Sequence, residues 1–295
     1  MKTNAILLIS CPDKPGITAA VTNFIAANQG NIIHADQHID TQSKENIFFM
    51  RIEWSLDDFK IKRGDIAASF LPIASSFKMS WELYLSSDKP RVAIFVSKHL
   101  HCLYDLLFRY KSGQLACEIP LIISNHPDAK GIAEDFRIPF REFVILPENK
   151  VAQERKQMDL LAKEKVDLVI LARYHQILTP AFVLAYKNQI INIHHSFLPA
   201  FVGGNPYLQA YQKGVKLIGA TSHYVTQALD EGPIIEQDTV RISHRDDPKD
   251  LVLKGQDLER VVLSRAVRWH LERKILCFGN KTVVFDSGDT RLDPN

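Results

Sequence analysis

The chain has 295 residues, 46% of them apolar, enough for two domains with separate buried cores. Its 36 basic and 34 acidic residues set up no single-sign field, which argues against a nucleic-acid or membrane partner and for a small molecule. Cys11, Cys102, Cys117 and Cys277 lie far apart without C-x-x-C spacing, so neither a disulfide framework nor a zinc site is expected, and a reduced cytoplasmic setting fits.

The first apolar run, Ala5–Ser10, is too short for a signal peptide and is followed at once by Asp13 and Lys14, so it reads as a strand. Nowhere does a run of about twenty apolar residues suggest a membrane span. A helix is expected over Ile17–Ala27, strands over Ile32–Ile39 and Ile47–Trp54, a helix over Ile66–Ser75 and a strand over Met79–Leu85. This β-α-β-β-α-β order is ferredoxin-like, with two helices on one face of an antiparallel sheet. IFFMRIEW at Ile47–Trp54 partly alternates apolar with polar, as a sheet with one wet face should.

The polar stretch Ser86–Pro90 marks a boundary, giving expected domains at 1–86 and 91–295. Beyond it, short apolar runs (RVAIFVS, CEIPLIIS, FVIL, VDLVIL, IINI) alternate with helical segments such as Glu148–Glu164. That is the pattern of a doubly wound, mainly parallel α/β domain. Near the end Asp247 can cap a helix with Pro248 in its first turn. Leu251, Leu258, Val262, Ala266 and Trp269 then recur at helical spacing and are read as core packing only. The closing Ser287–Asn295 is polar without periodicity and is expected to fray.

The chemistry concentrates between Ile191 and Gln237. A strand ending Asn-Ile-His puts Asn192 and His194 on one face, because strand side chains alternate with period two. Polar groups just past the carboxyl end of a parallel strand are where open α/β sheets bind ligands. A further strand, LIGATSHYV, runs into the loop TQALDEGP, where Gly232 and Pro233 enforce a turn with Asp230 at its tip. An amide to stabilise an oxyanion, an imidazole to move protons and a carboxylate to hold water together meet the demands of amide hydrolysis. With no serine or cysteine nucleophile in such a position, direct attack by water is the simpler course. His194-His195 and His99-Leu100-His101 are metal-ligand types, but no cysteine or carboxylate accompanies them at ligand spacing, and no metal is expected. Lys98 and Arg173 are read as solvated or as contacts to a substrate tail.

Asn192, His194, His223 and Asp230, the last seven residues after the second histidine, resemble the signature of the folate-dependent formyltransferase family. The resemblance runs from about Arg91 to the end of the chain. It implies that Asn192, His194 and Asp230 are catalytic, and that His223 and the loop Thr226–Asp230, including Leu229, line a pterin pocket. LARYHQIL at Leu171–Leu178 resembles the family segment that contacts the pterin ring, which implies substrate-binding roles for Arg173, Tyr174, His175, Gln176 and Leu178. A methionine is more usual in the family where this chain has His175.

The family's members differ in formyl acceptor. A glycinamide ribonucleotide acceptor needs a Gly- and Ser-rich phosphate cradle after the first strand of the domain. Here that place is occupied by Ser97-Lys98-His99-Leu100-His101-Cys102-Leu103, without glycine. A methionyl-tRNA acceptor would call for a basic RNA-binding domain after the last strand, and the sequence shows none. Water is left as the expected acceptor, with 10-formyltetrahydrofolate as substrate rather than cofactor, and formate and tetrahydrofolate as products. The alternative is transfer to an amine.

In the first domain, Cys11-Pro12-Asp13-Lys14-Pro15-Gly16-Ile17 leads from strand to helix, and Gly30-Asn31-Ile32 starts the next strand. Asp13 and Pro15 can cap and start the helix, while Gly16 permits close approach of a ligand or partner backbone. In its β-α-β-β-α-β frame the segment resembles an ACT domain, a module that commonly senses amino acids. The resemblance implies an effector site, methionine or glycine, at Asp13, Pro15, Gly16, Ile17 and Asn31, and a homo-oligomer. It also implies a role in balancing formylated against free folate and in supplying formate for purine synthesis.

Overall fold

The apolar run at the start of the chain forms the strand β1 (Asn4–Pro12), which the computed structural model places third in the four-stranded sheet β2-β3-β1-β4. The structure describes residues 3–42, 45–200 and 206–286, and the closing Ser287–Asn295, read as fraying, lies outside them. The other strands are β2 (Asn31–Asp40), β3 (Ile47–Ser55) and β4 (Ser80–Leu85), and all neighbours run antiparallel. Helices α1 (Ile17–Ala27) and α2 (Ile66–Ser76) complete the expected β-α-β-β-α-β order. Leu7 and Ile9 of β1, and Met50, Ile52 and Trp54 of β3, pack against Ile17, Val21 and Ile25 of α1 and Phe70 of α2.

Two expectations for this part of the chain need correction. The far side of β3 is not wet: Phe49 is 0% and Arg51 4% exposed. Arg51 Nε donates to the carbonyl of Arg273 at 3.0 Å, and an Nη bonds Glu53 at 2.9 Å. A segment more than two hundred residues away supplies that acceptor, so the local pattern around Arg51 could not show it. Nor does Asp13 cap α1. Its backbone N–H donates to the carbonyl of Asn46, and the residue before the helix is Gly16, with φ 94° and no side-chain cap bond. A Cβ on Gly16 would meet nothing within 4 Å, so its glycine requirement comes from the left-handed backbone and not from a close neighbour. Gly16→Ala is therefore expected to lower the stability of this unit by about 1–2 kcal/mol, read as a lower urea midpoint at unchanged slope.

Beyond Pro90 the near-continuous apolar runs become a seven-stranded sheet ordered β11-β10-β9-β8-β5-β6-β7. Its strands are β5 (Arg91–Val96), β6 (Glu118–Ser124), β7 (Phe140–Glu142), β8 (Leu168–Ala172), β9 (Ile190–His194), β10 (Leu217–Tyr224) and β11 (Ile234–Arg241). The run from β9 to β7 is parallel, whereas β10 pairs antiparallel with both β9 and β11. Order reverses between β5 and β8, making their carboxyl ends a topological switch point. The helices are α3 (His101–Lys111), α4 (Lys130–Asp135), α5 (Lys150–Lys163), α6 (Pro180–Ala185), α7 (Pro206–Lys213) and α8 (Pro248–Leu271). The apolar run Phe143–Leu146 is not a strand. It follows the short edge strand β7, with Phe143 and Ile145 packed on the core and Val144 and Leu146 exposed, so it alternates without a second ladder to join.

Asp247 caps α8 as expected. Its Oδ1 accepts from the N–H of Lys249 and Asp250 at 2.7 and 3.0 Å, and Asp250 Oδ2 accepts from the N–H of Asp247. The buried face of α8 holds more than core packing, because Glu259 lies on it at 1% exposure. A final hairpin pairs β12 (Ile275–Phe278) with β13 (Lys281–Val284). Two compact units result. The first takes the chain up to Lys89, with Arg273–Leu276 and the chain from Val283; the second takes Pro90–Glu272 and Cys277–Thr282. Arg273–Leu276, expected within a second domain over 91–295, thus belongs to the first unit.

Candidate functional site

In β9 the period-two alternation sends Asn192 and His194 to the same side, and antiparallel pairing with β10 sets His223 directly opposite Asn192. That register accounts for the 3.2 Å contact between Asn192 Nδ2 and His223 Nε2. His223 Nδ1 lies 2.9 Å from the carbonyl of Tyr224, which can only accept, so Nδ1 carries a hydrogen. In the neutral ring Nε2 then accepts from the Asn192 amide. This fixes which end of Asn192 is nitrogen and leaves its second N–H for another acceptor.

The loop after β10 brings Asp230 into the same place. Its φ is 56°, left-handed for a residue with a side chain. Gly232 is required by close approach, since a Cβ there would fall 1.8 Å from the carbonyl of Tyr224. Asp230 Oδ2 is 3.2 Å from His194 Nδ1, and Oδ1 is 3.6 Å from His223 Nε2. The hydrogen bond of His194, first among the causes, holds the Asp230 carboxyl well below the usual carboxylate range, overcoming the opposing effect of burial. Because an ionised carboxylate only accepts, His194 Nδ1 carries a hydrogen. The other ring nitrogen, Nε2, is buried without a partner among the described residues.

These groups line a cavity of about 450 Å³, within the range of small-ligand sites. Its lining contains every residue expected to be catalytic or substrate-binding: Asn192, His194, Asp230, Arg173, Tyr174, His175, Gln176, Leu178, His223, Thr226 and Leu229. The segment after β8 is held there by Ser97, at the end of β5. Ser97 Oγ accepts from the N–H of His175 at 3.0 Å and donates to Asn125 Oδ1 at 2.6 Å, and the Ser97 N–H donates to the carbonyl of Arg173. Sequence reasoning passed over Ser97, whose signal was its place at a strand end beside the switch point. The exposed Leu229 and Ile177 add apolar surface to the lining. The Tyr174 hydroxyl instead takes a bond from buried Gln157, so this residue offers the cavity its ring and backbone.

Of the two expectations for Arg173, a solvated side chain or a contact to substrate, the structure removes the first. Arg173 is not solvated: its side chain is 10% exposed, its φ is 63°, and its Nε lies 3.5 Å from Glu259 Oε2. Glu259 in turn receives His101 Nε2 at 2.8 Å and the Tyr207 hydroxyl at 2.5 Å. Burial alone would push the Glu259 carboxyl up, but the His101 bond, the Arg173 charge and the Tyr207 bond outweigh it and keep it ionised. His195 is pushed down to about 3, first by burial and then by Arg173, and is therefore neutral. The expectation that no cysteine or carboxylate accompanies His101 is also corrected, since donor atoms of His101, Cys102 and Glu259 lie within 4.8 Å of one another. Glu259 comes from a helix 158 residues away, beyond the reach of any local spacing rule.

In the first unit the expected effector residues do not all face outward. Asp13, Pro15, Gly16 and Asn31 are partly or fully exposed, but Ile17 is 2% exposed and packs in the core, so its side chain cannot meet a ligand.

The formyl transferase family matches residues 90–267, and the ACT domain matches residues 5–53. A formyltetrahydrofolate deformylase of Synechocystis sp. is 57% identical over 281 residues, covering 95% of this chain and 98% of the relative. One from Bacillus subtilis is 50% identical over 280 residues, covering 95% and 93%. The crystal structure of a formyltetrahydrofolate deformylase from Pseudomonas syringae pv. tomato superimposes with a TM-score of 0.94 at 46% identity, covering 97% of this chain and 95% of that one.

Proposed function

The chain belongs to the formyltetrahydrofolate deformylase family, and we propose that Asn192, His194 and Asp230 carry out its hydrolysis of 10-formyltetrahydrofolate to formate and tetrahydrofolate. The observation that carries this assignment is the convergence of an amide and an imidazole from the end of β9 and an ionised carboxylate from the loop after β10 on one cavity. Asp230 holds the attacking water. The free N–H of Asn192 stabilises the formyl oxygen as it takes on charge. His194, its Nδ1–H anchored on Asp230, exchanges protons through Nε2, accepting from the water and giving to the departing nitrogen. The carbon–nitrogen bond breaks, that nitrogen keeps the proton, and the formyl carbon leaves as formate.

Leu171–Leu178 and the loop Thr226–Asp230 make the pterin pocket in this reading, with Leu229 and Ile177 supplying apolar contact to a flat ring. His175, Gln176 and Thr226 supply polar contacts. Purified protein incubated with 10-formyltetrahydrofolate is expected to release formate in equal amount to tetrahydrofolate, and an added amine is expected to capture none of the formyl group. Formylated amine appearing in place of formate would reverse the assignment in favour of transfer.

The first unit suits an amino-acid effector, methionine or glycine, near Asp13, Pro15, Gly16 and Asn31, around the left-handed turn into α1. Its strand β2 lies at the edge of the sheet, and pairing with a second copy there would give a homo-oligomer. Among the described residues no helix is long and apolar enough to cross a membrane. We place the enzyme in the cytoplasm, where it balances formylated against free folate and supplies formate for purine synthesis.

A further inference from the structure

We infer that Arg173 forms a subsite for the product formate, tethered by Glu259, an inference that rests on the hydrolytic reading above. Hydrolysis turns a neutral amide into a carboxylate inside this cavity, and a fixed cation beside it would hold the new charge until it leaves. Among the described residues lining the cavity, Arg173 alone is a guanidinium or ammonium.

Two buried polar atoms of the cavity-lining residues have no hydrogen-bond partner among the described residues: Arg173 Nε and His194 Nε2. Buried polar groups are nearly always satisfied, so a pair of orphans around one cavity points to a small polar ligand. A guanidinium fork matches a carboxylate in shape and charge. The backbone around it is specialised as well. Arg173 adopts φ 63°, a conformation unfavourable for a side-chain-bearing residue, and its carbonyl is held by the N–H of Ser97.

Glu259 supplies the tether. It balances the Arg173 charge at 3.5 Å without hydrogen-bonding Nε, while its own oxygens are taken by His101 and Tyr207. A guanidinium half-neutralised in this way can hold an anion and still release it.

The test is titration of the full-length enzyme with ¹³C-formate, followed by line broadening of the formate signal, with sodium chloride at matched ionic strength as the control. Wild type is expected to broaden the signal saturably, and unlabelled formate is expected to reverse this while chloride does not. Arg173→Gly, which relieves the left-handed backbone, is expected to weaken binding about ten-fold or more. Because it strands Glu259, the double variant Arg173→Gly/Glu259→Gln is measured beside it and is expected to show the same loss. Glu259→Gln alone is expected to bind formate more tightly than wild type, since the competing negative charge is gone. A purely structural role for the pair predicts no such gain. Unchanged affinity in the Arg173 variants, or weaker binding in Glu259→Gln, overturns the proposal. Because binding is read without turnover, a wild-type enzyme that releases formate from the folate but does not bind it overturns the subsite alone. Loss of both overturns the hydrolytic reading as well.

Discussion

Replacing Asp230 with asparagine is expected to leave the second unit folded and to lower kcat by about a thousand-fold. The change preserves volume in a loop that already bends around Gly232, but it removes the acceptor for His194 Nδ1. An amide there can turn its NH₂ toward the imidazole and force the hydrogen onto Nε2, the tautomer opposite to the one the carboxylate imposes. Water would then lose both its anionic anchor and its proton acceptor. Since the interaction is made with the reacting atoms, kcat and kcat/KM should fall together while KM stays within a few-fold. A variant turning over at more than a tenth of the wild-type rate would remove Asp230 from the reacting set.

The same substitution has a signature in acid. Asp230 is held below its ordinary value in the folded protein, so its ionised form favours folding at pH above the unfolded carboxyl value of about 4. That contribution fades as pH falls through the folded value. Asp230→Asn should therefore be less stable than wild type at neutral pH, with the difference shrinking below about pH 4. Thermal unfolding at pH 7 and pH 3 would read it.

Asn192→Leu is the second large expected effect, a loss of about a hundred- to thousand-fold in kcat, the range found when one donor to a developing oxyanion is removed. Leucine keeps the bulk on β9 but contributes no N–H, and it also takes from His223 Nε2 the hydrogen it accepts. Steady-state kinetics with 10-formyltetrahydrofolate would separate this from a binding defect. A rise in KM at unchanged kcat would assign Asn192 to uniform substrate binding.

Asn192 and His194 were legible in the sequence because a strand places alternate residues on one face whatever surrounds it. The turn at Asp230 was legible from Gly232 and Pro233, while its role came from the resemblance of Asn192, His194, His223 and Asp230 to the family signature. The β-α-β-β-α-β order and the mainly parallel sheet followed from the same local periodicities. What escaped notice depends on distant covering elements. A helical stripe reports that one face of α8 is buried, but not that Glu259 on it meets Arg173, His101 and Tyr207 from three other segments. Likewise Phe143–Leu146 has the apolar content of a strand, but β6 ends at Ser124, opposite Glu142, so the segment runs on past the ladder it would have joined. For Arg173 the sequence left a solvated side chain and a substrate contact both open, since burial of an arginine is decided by its partner, here Glu259.

The carbonyl of Arg273 that receives Arg51 Nε bears on how this protein can be taken apart. The Arg273 guanidinium also sits 4.0 Å above the ring of Tyr84. A fragment cut after residue 89 would carry every strand of the first sheet, yet it would strip a nearly inaccessible guanidinium of an acceptor and a tyrosine of its covering cation. Effector binding studied on such an excised piece would thus report on a damaged sheet. The polypeptide doubles back on its own beginning, and the first unit is whole only with Arg273–Leu276 returned to it.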